Sequence, residues 1–156
     1  MKKRPFPRIS DNHKRGITAT LVLLDESLCQ FERWAKGGEA RSVLYEERNT
    51  LSAREREMLL AEIAEMQAIL RNVRDTLRLE GSIQTARHAI RSQCFGLLEH
   101  LVEIESKYLG RYGEPPPGLG EYLDPKVAAL EQRLDRIIAI ARGKPLKENQ
   151  SGERTG

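Results

Sequence analysis

The chain has 156 residues, of which 31% are Asp, Glu, Lys or Arg and only 5% are aromatic, and its formal net charge is +3. That length suits one domain with tails, large enough to stand without disulfides or metals. Long Ala/Glu/Leu/Arg/Ile-rich stretches favour packed helices over a sheet. Two cysteines, Cys29 and Cys94, are too few for a disulfide framework or a zinc knuckle. No apolar run approaches the ~20 residues of a membrane span, and the basic start MKKRPFPRISDNHKRG leads into no leader-type apolar region. A cytoplasmic protein with reduced thiols and no membrane partner is therefore expected.

The first apolar stripe is Ile17, Leu21, Leu24, Leu28 and Phe31, whose alternating steps of 4 and 3 keep one helix face apolar. Gly37-Gly38 stops it, which gives a helix over about 14–36. Residues 1–10 read as a basic flexible tail, and residues 11–143 read as a single helical bundle domain.

GEARSVLYEERNT is ambiguous. Leu44, Leu51 and Met58 lie seven apart, so an unbroken helix over 39–80 competes with a break near Asn49-Thr50 that leaves a short helix at 39–48. Ser52-Ala-Arg-Glu55 favours the break, because its two side chains can each satisfy the other residue's backbone N–H as a capping box. Leu59, Ile63, Met66, Leu70, Val73 and Leu77 then carry a second helix, about 52–80, to Gly81.

Ser82 is the candidate N-cap of a third helix, about 82–111, with Ile83, Ile90, Cys94, Leu97, Leu101, Ile104 and Tyr108 on heptad positions. The connection at Gly81 is so short that the second and third helices are expected to fold back as a hairpin. Helix three carries a second apolar stripe, Phe95, Leu98 and Val102, suited to a central helix or a dimer interface. EPPPGLGEY cannot be helical and reads as a stiff connector. Asp124-Pro125 supplies an N-cap and a first-position proline for a fourth helix, about 124–142, with Val127, Leu130, Leu134, Ile137 and Ala141 inward. Residues 144–156 read as a disordered polar tail. The fold class expected is all-α, an antiparallel up-and-down bundle of four main helices.

Charge is distributed unevenly. In a compact bundle the start of helix one, the Gly81 corner and the end of helix four share one end; residues 1–20 carry +5, 68–93 carry +3 and 131–147 carry +3, leaving −8 elsewhere. Arg71, Arg74, Arg78, Arg87 and Arg91 are the candidate binding residues of this basic pole, for an acidic protein partner or a polyanion such as nucleic acid. Against nucleic acid, the pole lacks aromatics for base stacking and any helix-turn-helix, zinc-finger or RNA-binding signature. Arginines on the outside of helices also serve as plain solvated residues.

Other chemistry has little to build on. Di-iron bundles use inward Glu-x-x-His pairs; here only the reversed His100/Glu103 pair occurs, beside Glu99. Cys94 sits on the core stripe as a small hydrophobe, and a redox pair with Cys29 is a minor alternative. No phosphate-cradling glycine loop is present. No cofactor is expected, and the function class that remains is a non-enzymatic bundle acting through protein–protein contacts, including contacts with its own copies.

Overall fold

A computed structural model describes residues 8–143 and is all-helical among them, with no strand beyond one isolated bridge. The end segments 1–7 and 144–156, which take in most of the basic tail and all of the polar tail read from the sequence, lie outside the described residues. Four α-helices run Asp11–Ala35 (α1), Ala53–Leu77 (α2), Ala86–Val102 (α3) and Leu119–Ala141 (α4), with a 3-10 helix at Ser106–Tyr112. The chain divides into two compact units, Met1–Ser82 and Ile83–Gly156. α1 packs on α2 in the first, and α3 packs on α4 in the second.

In the first unit, Ser10 caps α1 by accepting the His13 N–H, with Asp11 in the first turn where the helix dipole favours an acid. The helix stops where expected. Gly37 has a positive φ of 86°, and a Cβ on Gly38 would lie 2.7 Å from the Arg33 carbonyl, so neither position accommodates a side chain easily. α2 opens at the capping box, with Ser52 Oγ accepting the Glu55 N–H and Glu55 Oε2 accepting the Ser52 N–H at 2.7 Å. The unbroken 39–80 helix is thus excluded. The short helix at 39–48 is absent as well: that stretch is a loop with a single antiparallel bridge between Arg41 and Glu46. Its heptad spacing with Met58 is coincidental, since a turn within the loop and the Glu39 and Glu47 side chains take its backbone hydrogen bonds.

α2 ends three residues short of Glu80, with Arg78 in the left-handed conformation and the Leu79 N–H returning to the Arg74 carbonyl. Leu79 is half-buried, the apolar contact that commonly accompanies this helix ending. Leu28, Ala35 and Ile63 form the core, with Leu59, Leu60, Met66 and Leu70 packed around them.

The second unit departs further from the sequence reading. Thr85, not Ser82, caps α3 by accepting the His88 N–H, and residues 82–85 are not helical. The helix expected over 82–111 is two pieces. Its interruption has a cause: the Ser106 N–H donates to Asp124 Oδ1 at 2.8 Å and its hydroxyl to Oδ2 at 2.7 Å, so that N–H is taken out of the helical ladder. The same contact occupies Asp124, which therefore caps nothing; α4 starts earlier, after Gly118, and holds Pro125 within it. At the other end, Arg87 of α3 donates to the Ile140 and Ala141 carbonyls that close α4. These two contacts fix α3 and α4 as antiparallel. Cys94, Leu109, Val127, Ile138 and Ala141 are buried.

A core this small depends on single side chains. Ile63 is 3% exposed and Ile69, two turns along the same helix, is 62% exposed. Ile63→Ala is expected to lower unfolding free energy by about 2–4 kcal/mol, and Ile69→Ala by no more than about 0.5 kcal/mol, in urea titrations followed by circular dichroism.

Candidate interaction surfaces

The five arginines of the basic pole divide between the units. On α2, Arg71 is exposed and Arg74 is tied to Asp75, Nε to Oδ1 2.9 Å. That carboxylate raises the Arg74 pKa further, chiefly through the hydrogen bond. Arg78 is the exposed left-handed residue that ends α2. On α3, Arg87 closes α4 as described, and Arg91 is half-buried with its Nε lacking a hydrogen-bond partner. Two of the five thus have structural partners, and within the first unit Arg71 and Arg74 share a groove.

That groove, about 340 Å³, lies between the first half of α1 and the end of α2. Leu21, Val22, Leu70 and Leu79 make its apolar part, and Asp25, Gln67, Arg71, Arg74 and Glu80 its polar rim. Charges of both signs meet there, so it is amphipathic with no dominant sign.

The main polar cluster surrounds Glu47 in the loop between α1 and α2. Arg33 Nη2 reaches both carboxylate oxygens, at 2.7 and 2.9 Å, the Ala40 N–H donates to Oε1 at 2.8 Å, and the Tyr45 hydroxyl donates to Oε2 at 2.8 Å. The Glu47 side chain is only 9% exposed. The Arg33 hydrogen bonds, followed by that of Tyr45, pull its pKa down to about 2, and the carboxylate in turn raises that of Tyr45. Asn49 adds a second tie, its amide donating to the Trp34 and Gly38 carbonyls at 2.7 and 3.1 Å. Every one of these groups is used in holding loop to helix. The sequence reading passed over Glu47, since nothing local marks one loop glutamate among several.

His100 Nδ1 stands 4.0 Å from Glu103 Oε1, both well exposed. Among the described residues no group of three or more His, Cys, Asp or Glu is placed to hold a metal ion, and no helix is long and apolar enough to cross a membrane. Cys94 is buried, as its stripe position implies, while Cys29 is exposed.

The second unit also exposes apolar side chains on both of its helices. On α3, Cys94, Leu98 and Leu101 turn toward α4; on α4, Val127, Leu134 and Ile138 turn toward α3. Ile90 and Leu97 lie roughly 50–70° to one side of the first seam, and Leu130 and Ile137 roughly 60–80° from the second, in the same rotational sense along each helix. Because the helices are antiparallel, equal senses of rotation bring both flanks to the same side of the pair. Those four residues are 41–52% exposed. They form one apolar face, with Phe95 on the opposite flank.

No family model, no curated protein and no solved structure matches this chain.

The Glu47 cluster gives a pH response. A carboxyl whose pKa is lowered on folding stabilises the fold above its ordinary range near 4.5, and that contribution is lost as pH falls toward 2. Trp34, the single tryptophan, lies in the last turn of α1, stacks on Phe31 with centroids 6.2 Å apart and receives the Asn49 amide of this loop on its carbonyl. Its fluorescence is expected to hold steady above pH 5 and change between pH 4.5 and 2, with Glu47→Gln giving the acid-form emission already at pH 7. Identical pH profiles for the two proteins would contradict this assignment.

Proposed function

We propose that the protein is a non-enzymatic helical interaction protein that works through protein–protein contacts, and that a second copy of the chain covers the α3–α4 face. The observation that carries this reading is the placement of Ile90, Leu97, Leu130 and Ile137 on one side of an antiparallel pair. Aliphatic side chains grouped this way mark an association surface. The seven-residue spacing within each helix suits shallow-angle packing against further helices. An antiparallel pair has matching stripes on its two helices, so two copies related by a twofold axis can stack these faces into a four-helix arrangement.

Two unpaired thiols fit a reducing compartment, and a cytoplasmic location belongs to the same reading. Polyanion binding through the arginines is the second reading. It has less support, since Arg74 and Arg87 already have partners within their own units.

The test is the mass in solution by size-exclusion with light scattering. Wild type is expected to associate at micromolar concentration, and Leu97→Asp combined with Ile137→Asp to fall to a lower mass with unchanged helicity. Phe95→Asp, on the opposite flank, is expected to keep the wild-type mass. A wild-type monomer at every concentration overturns the self-association.

A further inference from the structure

The least explained feature of the molecule is the tip of the loop between α1 and α2. Val43 is 93% exposed and Leu44 100% exposed. Two neighbouring aliphatic side chains in open water are unfavourable wherever they sit, by about 25 cal/mol per Å² of apolar area that could otherwise be buried. A flexible loop could fold them back against the protein. This loop is held open. The Ser42 N–H donates to the Tyr45 carbonyl at 2.7 Å, and the Glu47 N–H donates to the Ala40 carbonyl at 2.8 Å, closing a short turn beneath the tip. Glu47 and Asn49 anchor that turn to the end of α1, Glu39 accepts the Asn49 N–H, and Arg41 pairs with Glu46 across the bridge. Preorganisation of this kind removes most of the ordering entropy that a docking loop otherwise loses on binding.

We infer that the Val43–Leu44 tip is a docking knob, and that its socket is the α1–α2 groove of a second copy of the chain. Three observations select that occupant. The groove walls Leu21, Val22, Leu70 and Leu79 are aliphatic like the tip, and its volume of about 340 Å³ leaves room for two aliphatic side chains. The surroundings do not repel: the groove rim sets Asp25 and Glu80 against Arg71 and Arg74, and the tip sets Glu46 against Arg41 and Arg48. Opposite signs are thus available on both sides to pair around a dry centre. Finally, the knob cannot reach the groove of its own chain. It is pinned at the C-terminal end of α1, whereas the groove spans Thr18 to Asp25 on that helix, so Val22 alone is about 20 Å from Ala35 at 1.5 Å per residue.

Knob and groove are different patches of one unit, so each copy offers one of each to its neighbours. This contact uses different residues from the α3–α4 face and stands without it.

Two variants, each defective on one side, provide the test. Leu44→Asp removes the knob at a fully exposed position and keeps the groove; Val22→Arg fills the groove and keeps the knob. Fluorescently labelled Leu44→Asp protein is titrated with Val22→Arg protein, and separately with unlabelled Leu44→Asp protein. The first titration pairs an intact groove with an intact knob, while the second contains no knob at all. Any association through α3–α4 is common to both. The first is expected to bind at least tenfold more tightly and to stop at one-to-one complexes of that contact. Equal affinities in the two titrations overturn the proposal, and so does absence of binding in both. Circular dichroism establishes that each variant is folded. Leu97→Asp added to both partners is expected to leave the difference between titrations intact, which separates failure here from failure of the α3–α4 reading.

Discussion

The constraint on which the rest of this structure depends is that a pair of antiparallel helices buries only one seam. Each helix here carries an apolar face wider than a single partner can cover, because its stripe spreads over neighbouring heptad positions. Within each unit the seam closes on a few side chains: Leu28 and Ile63 in the first, Cys94, Val127 and Ile138 in the second. What lies beside the seam stays in water. In the second unit that remainder is organised, because antiparallel geometry brings the flanks of α3 and α4 to one side. The proposed function follows from that remainder, while the polar contacts of Glu47, Asp124 and Arg87 hold loops and helix ends.

Polar side chains decide where the helices stop, and they do so across long sequence separations. Asp124 takes both donors of Ser106, ends the helical run beyond α3 and joins the start of α4 to it. Arg87 closes the last carbonyls of α4 from the start of α3. Together they bracket the second unit at both ends with charge-assisted hydrogen bonds, individually modest where exposed. Glu47 does similar work in the first unit, on the loop that displays Val43 and Leu44. Supporting an exposed tip with a nearly buried carboxylate is an expensive arrangement unless the tip has a use.

Local signals in the sequence carried well. The stripes of α1 and α2, the stop at Gly37-Gly38 and the capping box at Ser52 depend on neighbours within one or two turns, so all are legible from residue order. Ser10 reads as part of the flexible tail and the helix as starting at about residue 14, whereas Ser10 caps a helix that begins at Asp11. What could not be read is what distant residues impose. Asp124-Pro125 has the form of a helix start, yet Asp124 is drawn away by Ser106, eighteen positions earlier. Leu44 has the spacing of a helical stripe, but Glu47 and Asn49 claim the backbone around it. The arginine cluster around Gly81 looked like one site because its residues are near in sequence; in the fold they divide between two units, and Arg74 and Arg87 take structural partners. The apolar face of α3 and α4 was visible only in part, since exposure depends on which side of each stripe the partner helix takes.

The central claim is that a second chain covers Ile90, Leu97, Leu130 and Ile137. The most direct measurement is hydroxyl-radical footprinting of the wild-type protein, read residue by residue, at concentrations above and below its association range. The account expects oxidation of these four side chains to fall several-fold on association, while Phe95 on the other flank and Ile69 on α2 react equally at both concentrations. Oxidation of the four residues that does not change with concentration would contradict it.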